Sequence, residues 1–127
     1  MPAVDGLLAA LGLFKVLDPR ISVNEVIVFL RVAEAEGLTV QAVAQAAGLT
    51  QSTASRSLRA LGPAGSPWSQ APAVGLLEAY LKPDDARSHV ICLSPAGRDL
   101  RERLNGALRG EPAASRAAWR ANREAEE

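Results

Sequence analysis

Apolar residues recur at three- and four-residue steps from the start of the chain. Val4, Leu7, Leu8, Leu11, Phe14 and Leu17 mark a helix over residues 4–17. Leu13 and Val16 widen its apolar surface beyond one core contact, which points to a second copy of the chain as a covering partner. Asp18-Pro19 ends it, because the residue before proline is pushed out of the helical region. Ser22-Val23-Asn24-Glu25 reads as a capping box, in which the Ser hydroxyl accepts from the backbone and Glu25 reaches back. It opens a second helix to about Glu36, with Val23, Val26, Ile27, Leu30 and Ala33 on one face and Gly37 as its stop. Thr39 caps a short third helix containing Val40, Val43, Ala44 and Ala47, closed by Gly48. Thr50 caps a fourth from Gln51 to Leu61, ended by Gly62.

The pattern then changes. Residues 62–74 hold three prolines, two glycines and two serines and read as an irregular loop. Leu76–Leu81 and Ser88–Leu93 are strand-like runs, with residues 82–87 as the turn of a hairpin. Ser94-Pro95 is an N-cap followed by proline at the first helical position, opening a fifth helix to about Gly110. The expected architecture is mainly α with a small β-hairpin. Residues 1–110 form one domain, and residues 111–127 are a helical or partly disordered tail with Trp119 as its one large apolar anchor.

Composition narrows the function. Fourteen basic and fourteen acidic residues among 127 leave no net charge, so a polyanion must be met by a local patch. Cys92 and His89 are each alone of their kind, which argues against a disulfide, a metal site, a His-based triad or a bound cofactor. Cys92, alternating with Val90 near a strand end, reads as a buried structural thiol. No apolar run approaches the ~20 residues a membrane span needs. Asp5 precedes any Lys or Arg, so no signal peptide is expected and a cytoplasmic protein is. No glycine-rich phosphate loop, nucleophile–His–acid set or paired carboxylates appear, so the chain does not read as an enzyme.

The third and fourth helices carry the functional signal. Ala44 supplies the small residue where two helices cross, Gly48 the turn that tolerates positive φ, and Leu49 an apolar plug. On the fourth helix Ala54, Leu58 and Leu61 form an inner stripe, leaving Gln51, Ser52, Ser55, Arg56 and Arg59 opposite. Gln and Arg make bidentate contacts to adenine and guanine edges, and Ser hydroxyls bond bases or phosphates. Between Glu36 and Glu78, 41 consecutive residues carry only Arg56 and Arg59 as charges. Clearing acids from one segment of a neutral protein is what a phosphate-facing surface requires.

In the hairpin, Asp85-Ala86-Arg87 leaves two readings open. Arg87 enters a minor groove with Asp85 orienting its guanidinium, or the two form a surface ion pair that stiffens a turn. Trp68 likewise either anchors the 62–74 loop or offers a protein contact.

The segments LTVQAVAQAAGLTQSTASRSLRALG (38–62) and DARSHVICLSPAGRDL (85–100), in this order of elements, resemble the MarR family of bacterial winged-helix regulators over residues ~4–110. The 62–74 loop is longer and richer in proline than that family's usual link from recognition helix to wing. The resemblance implies a winged helix-turn-helix fold and a homodimer joined by terminal helices, here Leu7, Leu8, Leu11, Phe14 and the C-terminal helices. It implies a recognition helix (51–61) in the major groove and a wing (82–89) at the minor groove of an inverted repeat in double-stranded DNA. It also implies a small-molecule effector or cysteine oxidation that releases DNA. The expected role is a transcriptional repressor associated with the bacterial nucleoid. Gln51, Ser52, Ser55 and Arg56 read bases, Thr50, Thr53 and Arg59 position on phosphates, and Arg87 with Asp85 serves the minor groove. The alternative is a winged-helix adaptor or anti-activator that binds protein rather than DNA.

Overall fold

The structure, a computed structural model, describes residues 1–110 apart from the side chains of Ala86 and Arg87. The expected tail at 111–127, with Trp119, lies outside the described residues. Helices α1 (Pro2–Leu17), α2 (Val23–Glu34), α3 (Val40–Ala47), α4 (Gln51–Ala60) and α5 (Pro95–Leu108) and strands β1 (Leu38–Thr39), β2 (Leu77–Lys82) and β3 (Asp85–Leu93) follow in the order α1-α2-β1-α3-α4-β2-β3-α5. The chain divides into two compact units, Arg20–Asp99 and the two terminal segments, Met1–Pro19 with the chain from Leu100 onward.

In the Arg20–Asp99 unit, α2, α3 and α4 pack on one another beside a three-stranded antiparallel sheet of order β1-β3-β2. Its core contains Val28, Phe29, Val32, Val43, Leu58, Leu61, Leu76, Leu77, Ile91 and Leu93, all essentially removed from water. Each such side chain contributes ~1.5–3 kcal/mol relative to leaving it exposed. The Ser22 hydroxyl accepts from the Glu25 N–H at 3.1 Å and donates to the Glu25 carboxylate at 3.2 Å. The cap therefore forms with the carboxylate bonded to the Ser side chain.

The buried face of α2 is rotated from the expected one. Val28, Phe29 and Val32 point inward, whereas Val23 and Leu30 are exposed. In a run as uniformly apolar as VIVFLRV, periodicity does not single out a face, and packing against α3 and α4 chooses it. Strand β1, two residues long, was not foreseen: Leu38 pairs with Ile91 and Thr39 with Val90. So short a run has no readable alternation, and β3 recruits it. The Gly37 N–H adds a bond to the Ile91 carbonyl at 2.8 Å.

The terminal unit corrects the reading of α1. The residues it buries are Gly6, Ala10 and Phe14, at four-residue spacing, while Val4, Leu7, Leu8, Leu11, Val16 and Leu17 are exposed. A Cβ on Gly6 would lie 3.2 Å from the Ala107 carbonyl oxygen, so small residues here allow a close backbone approach to α5. Phe14 belongs to this internal packing, at 2% exposure, and so is no part of an outward apolar surface.

Candidate nucleic-acid interface

The turn between α3 and α4 is built as its residue types demand. Gly48 takes the left-handed conformation (φ 69°, ψ 32°), and the Leu49 N–H closes onto the Ala44 carbonyl at 2.9 Å. Ala44 and Ala54 are both buried on the packed faces of these helices, where their small side chains let the backbones approach. The Thr39 hydroxyl caps α3 by accepting from the Ala42 N–H at 3.2 Å. The Thr50 hydroxyl caps α4 by accepting from the Thr53 N–H at 3.2 Å, and donates to the Thr53 hydroxyl at 2.9 Å. Each cap satisfies one of the first-turn N–H groups and fixes where its helix starts.

On α4 the inner stripe of Ala54, Leu58 and Leu61 is fully buried. Gln51, Ser52 and Arg56 are exposed, and Thr53, Ser55 and Arg59 are half-exposed. Ser52, Ser55, Arg56 and Arg59, a single stripe at helical spacing, line an open recess of about 460 Å³ together with Gln70 from the long loop. The helix carries no acid. Arg56 is exposed beside Ser52 and Ser55, while the half-exposed Arg59 lies over Trp68, and hydroxyls, amide and guanidiniums of this kind can bond base edges and phosphate oxygens.

The 62–74 loop folds back on α4 instead of leaving it. Its N–H groups bond to carbonyls at the end of the helix, Gln70 to Arg59 at 3.0 Å and Val74 to Ala60 at 3.0 Å, and the Gly75 N–H closes the loop onto the Gly62 carbonyl at 2.9 Å. Leu76 and Leu77 both donate to the Leu61 carbonyl, at 2.9 and 3.0 Å. Trp68 is the loop's anchor. Its ring centroid lies 5.9 Å from that of His89 on β3, and the Arg59 guanidinium carbon sits 5.8 Å from it. A Cβ on Gly62 would come within 2.9 Å of the indole, so glycine is needed there for the ring to pack. Trp68 thus contacts both the α4 arginine and the β3 histidine, its ring tilted 36° from that of His89.

The wing is tighter than expected. Strands β2 and β3 leave only Pro83-Asp84 between them, with Lys82 opposite Asp85 and a register irregularity at Leu81/Lys82. Asp85 and Arg87 fall inside β3, and the Asp85 carboxylate accepts from the Ser88 hydroxyl at 3.0 Å. The Arg87 side chain lies outside the described residues, so the expected pairing with Asp85 has no geometry here. Cys92 is half-buried, less enclosed than the fully buried thiol expected. The Tyr80 hydroxyl donates to Glu78, and this bond holds the phenol protonated above its ordinary value of 10.0.

Of the nine expected contact residues, six lie together on α4 with Thr50 at its cap, and two lie on the wing. Gln70 was missed. It sits in an irregular loop without periodicity, and only the loop's return onto α4 brings it to the recess. No helix among the described residues is long and apolar enough to cross a membrane.

No family model matches the sequence, and neither does any curated protein. Solved structures do. The MepR–DNA complex of S. aureus aligns with a TM-score of 0.66 at 19% identity, covering 94% of this chain and 88% of that one. A MarR transcriptional regulator of Methanosarcina mazei Go1 aligns at 0.61 and 14% identity, over 80% of this chain. This chain spans 65% of that protein's length. PcaV of Streptomyces coelicolor, in complex with its natural ligand, aligns at 0.55 and 20% identity, covering 84% and 77%. With five helices and a three-stranded antiparallel sheet among the described residues, and with these neighbours, the chain has the winged helix-turn-helix fold of the MarR-type transcriptional regulators.

Proposed function

We propose that this protein is a homodimeric transcriptional regulator, acting as a repressor, that binds an inverted repeat in double-stranded DNA. The observation that carries the reading is the acid-free outer stripe of α4, held rigid by a satisfied cap and a fully buried inner stripe. Gln51, Ser52, Ser55 and Arg56 would read bases in the major groove, and Thr50, Thr53 and Arg59 would position on phosphates. Arg87, with Asp85, would serve the flanking minor groove. The MepR complex with DNA supports this use of the fold. The PcaV complex with its ligand supports a small-molecule effector as part of the same reading.

Dimerisation would use the apolar surface of α1, from Leu7, Leu8 and Leu11, which are 53%, 63% and 44% exposed in the single chain. Two-fold symmetry then sets half-site centres roughly 34–36 Å apart. The protein would act in the cytoplasm, at the nucleoid.

The test is a motif selected from a random DNA pool, followed by gel shifts of two variants. Arg56→Ala is expected to lose discrimination at particular bases, and Arg59→Ala to weaken binding to all sequences alike. With Arg56, Arg59 and Arg87 of each protomer bringing about six cations per dimer to the duplex, affinity should fall on the order of a thousandfold from 50 to 200 mM salt. A wild-type protein that enriches no motif, or binds with no salt slope, overturns the reading.

A further inference from the structure

Four of the five residues that line the α4 recess belong to the helix stripe, and the fifth, Gln70, comes from a loop eleven positions further on. Its position is held by structure. The Gln70 backbone N–H donates to the Arg59 carbonyl at 3.0 Å, so the loop is hydrogen-bonded to the helix at that residue. On one side Trp68 is wedged between Arg59 and His89. On the other, Val74 bonds to Ala60. The main chain of Gln70 is thus tied to α4, and its exposed side chain stands beside Arg56 and Ser55.

We propose that Gln70 is a specificity-determining residue, a base-reading amide delivered by the loop to the same DNA surface that α4 presents. This inference rests on the DNA-binding reading above. A carboxamide places a donor and an acceptor side by side, which matches the N6/N7 edge of adenine. Being neutral, it releases no counterion, so its contribution appears in sequence preference and leaves the salt slope unchanged. The long proline-rich loop then has a physical purpose. By turning back along α4 it widens the reading surface beyond the width of one helix.

The experiment uses the full chain and the wild-type selected motif. Gln70→Ala is expected to bind that motif on the order of 10- to 100-fold more weakly, with unchanged affinity for random duplex and an unchanged salt slope. Selection with the variant should lose preference at one base position in each half-site. Gln70→Met, which keeps the side-chain length without the amide, should behave the same way and guards against a loop that rearranges on truncation. A variant that selects the wild-type motif, or loses affinity equally for motif and random duplex, overturns the role of Gln70 alone. A wild-type chain that selects no motif overturns the DNA-binding reading and this inference with it.

Discussion

Replacing Gly97 with alanine tests how the wing is fastened to the helix that follows it. Gly97 lies in the first turn of α5, where that turn passes over the start of β2. A Cβ there would lie 3.2 Å from the Leu76 carbonyl carbon and 3.3 Å from the Leu93 Cβ, and would collide with the Leu76 oxygen itself. That oxygen is backbone and accepts the Ser94 N–H at 3.0 Å, so it cannot swing aside cheaply. The Ser94 hydroxyl also donates to the Gly75 carbonyl at 2.6 Å while accepting from the Gly97 N–H at 3.0 Å. Parting the two segments strains the two bonds that join them, from the Ser94 N–H to Leu76 and from the Ser94 hydroxyl to Gly75, each worth about 1 kcal/mol net, and overpacking typically costs ~1–3 kcal/mol. Alanine's better helix propensity returns about 1 kcal/mol. The expected net loss is about 2 kcal/mol, a fall in Tm of roughly 8 °C for a chain of this size. Thermal melts by circular dichroism read this directly. Gly12→Ala is the internal control, because nothing lies within 4 Å of a Cβ there, and it should raise stability by up to about 1 kcal/mol. A Gly97→Ala protein as stable as its parent would refute the argument from close approach.

Three further outcomes are expected. Leu8→Glu should convert a dimer into a monomer in sedimentation and weaken binding to an inverted repeat by at least ~100-fold through lost avidity, while a dimer that persists removes α1 from the interface. Thr50→Ala removes the α4 cap and should cost about 1 kcal/mol in a melt, with weaker binding to every duplex in gel shifts; an unchanged melt would contradict the cap. Tyr80, the one tyrosine, should ionise above 10.0 in a spectrophotometric titration and move down in Glu78→Gln. Because its folded value is raised, the associated stability is present below the unfolded value and lost as pH rises through the folded one; a titration at the ordinary value in the native protein would refute this.

The local elements were legible because their signals are local. Thr39, Gly48 and Thr50 bond to atoms within a few residues, so cap and turn chemistry alone marks the ends of α3 and α4. The inner stripe of α4 was equally plain, since Ser55, Arg56, Ser57 and Arg59 break up the apolar residues and leave Ala54, Leu58 and Leu61 at helical spacing. The buried face of α2 and the outward face of α1 were not. Both runs are apolar nearly all round, and the choice of face depends on which neighbour packs there. In α1, burial falls on Gly6 and Ala10, which permit close approach, and on Phe14, while Leu7, Leu8, Leu11 and Leu17 are left outside.

By itself, then, the sequence determined that a helix-turn-helix with an acid-free outer stripe precedes a hairpin, because hydrophobic period, caps and charge placement are properties of neighbouring residues. Only the tertiary structure decided that the 62–74 loop returns along α4, brings Trp68 against Arg59 and His89, and sets Gln70 beside the recognition stripe. Those contacts join residues far apart in the chain, bonding helix-end carbonyls and half-burying an aromatic ring. No pattern within either segment encodes their meeting.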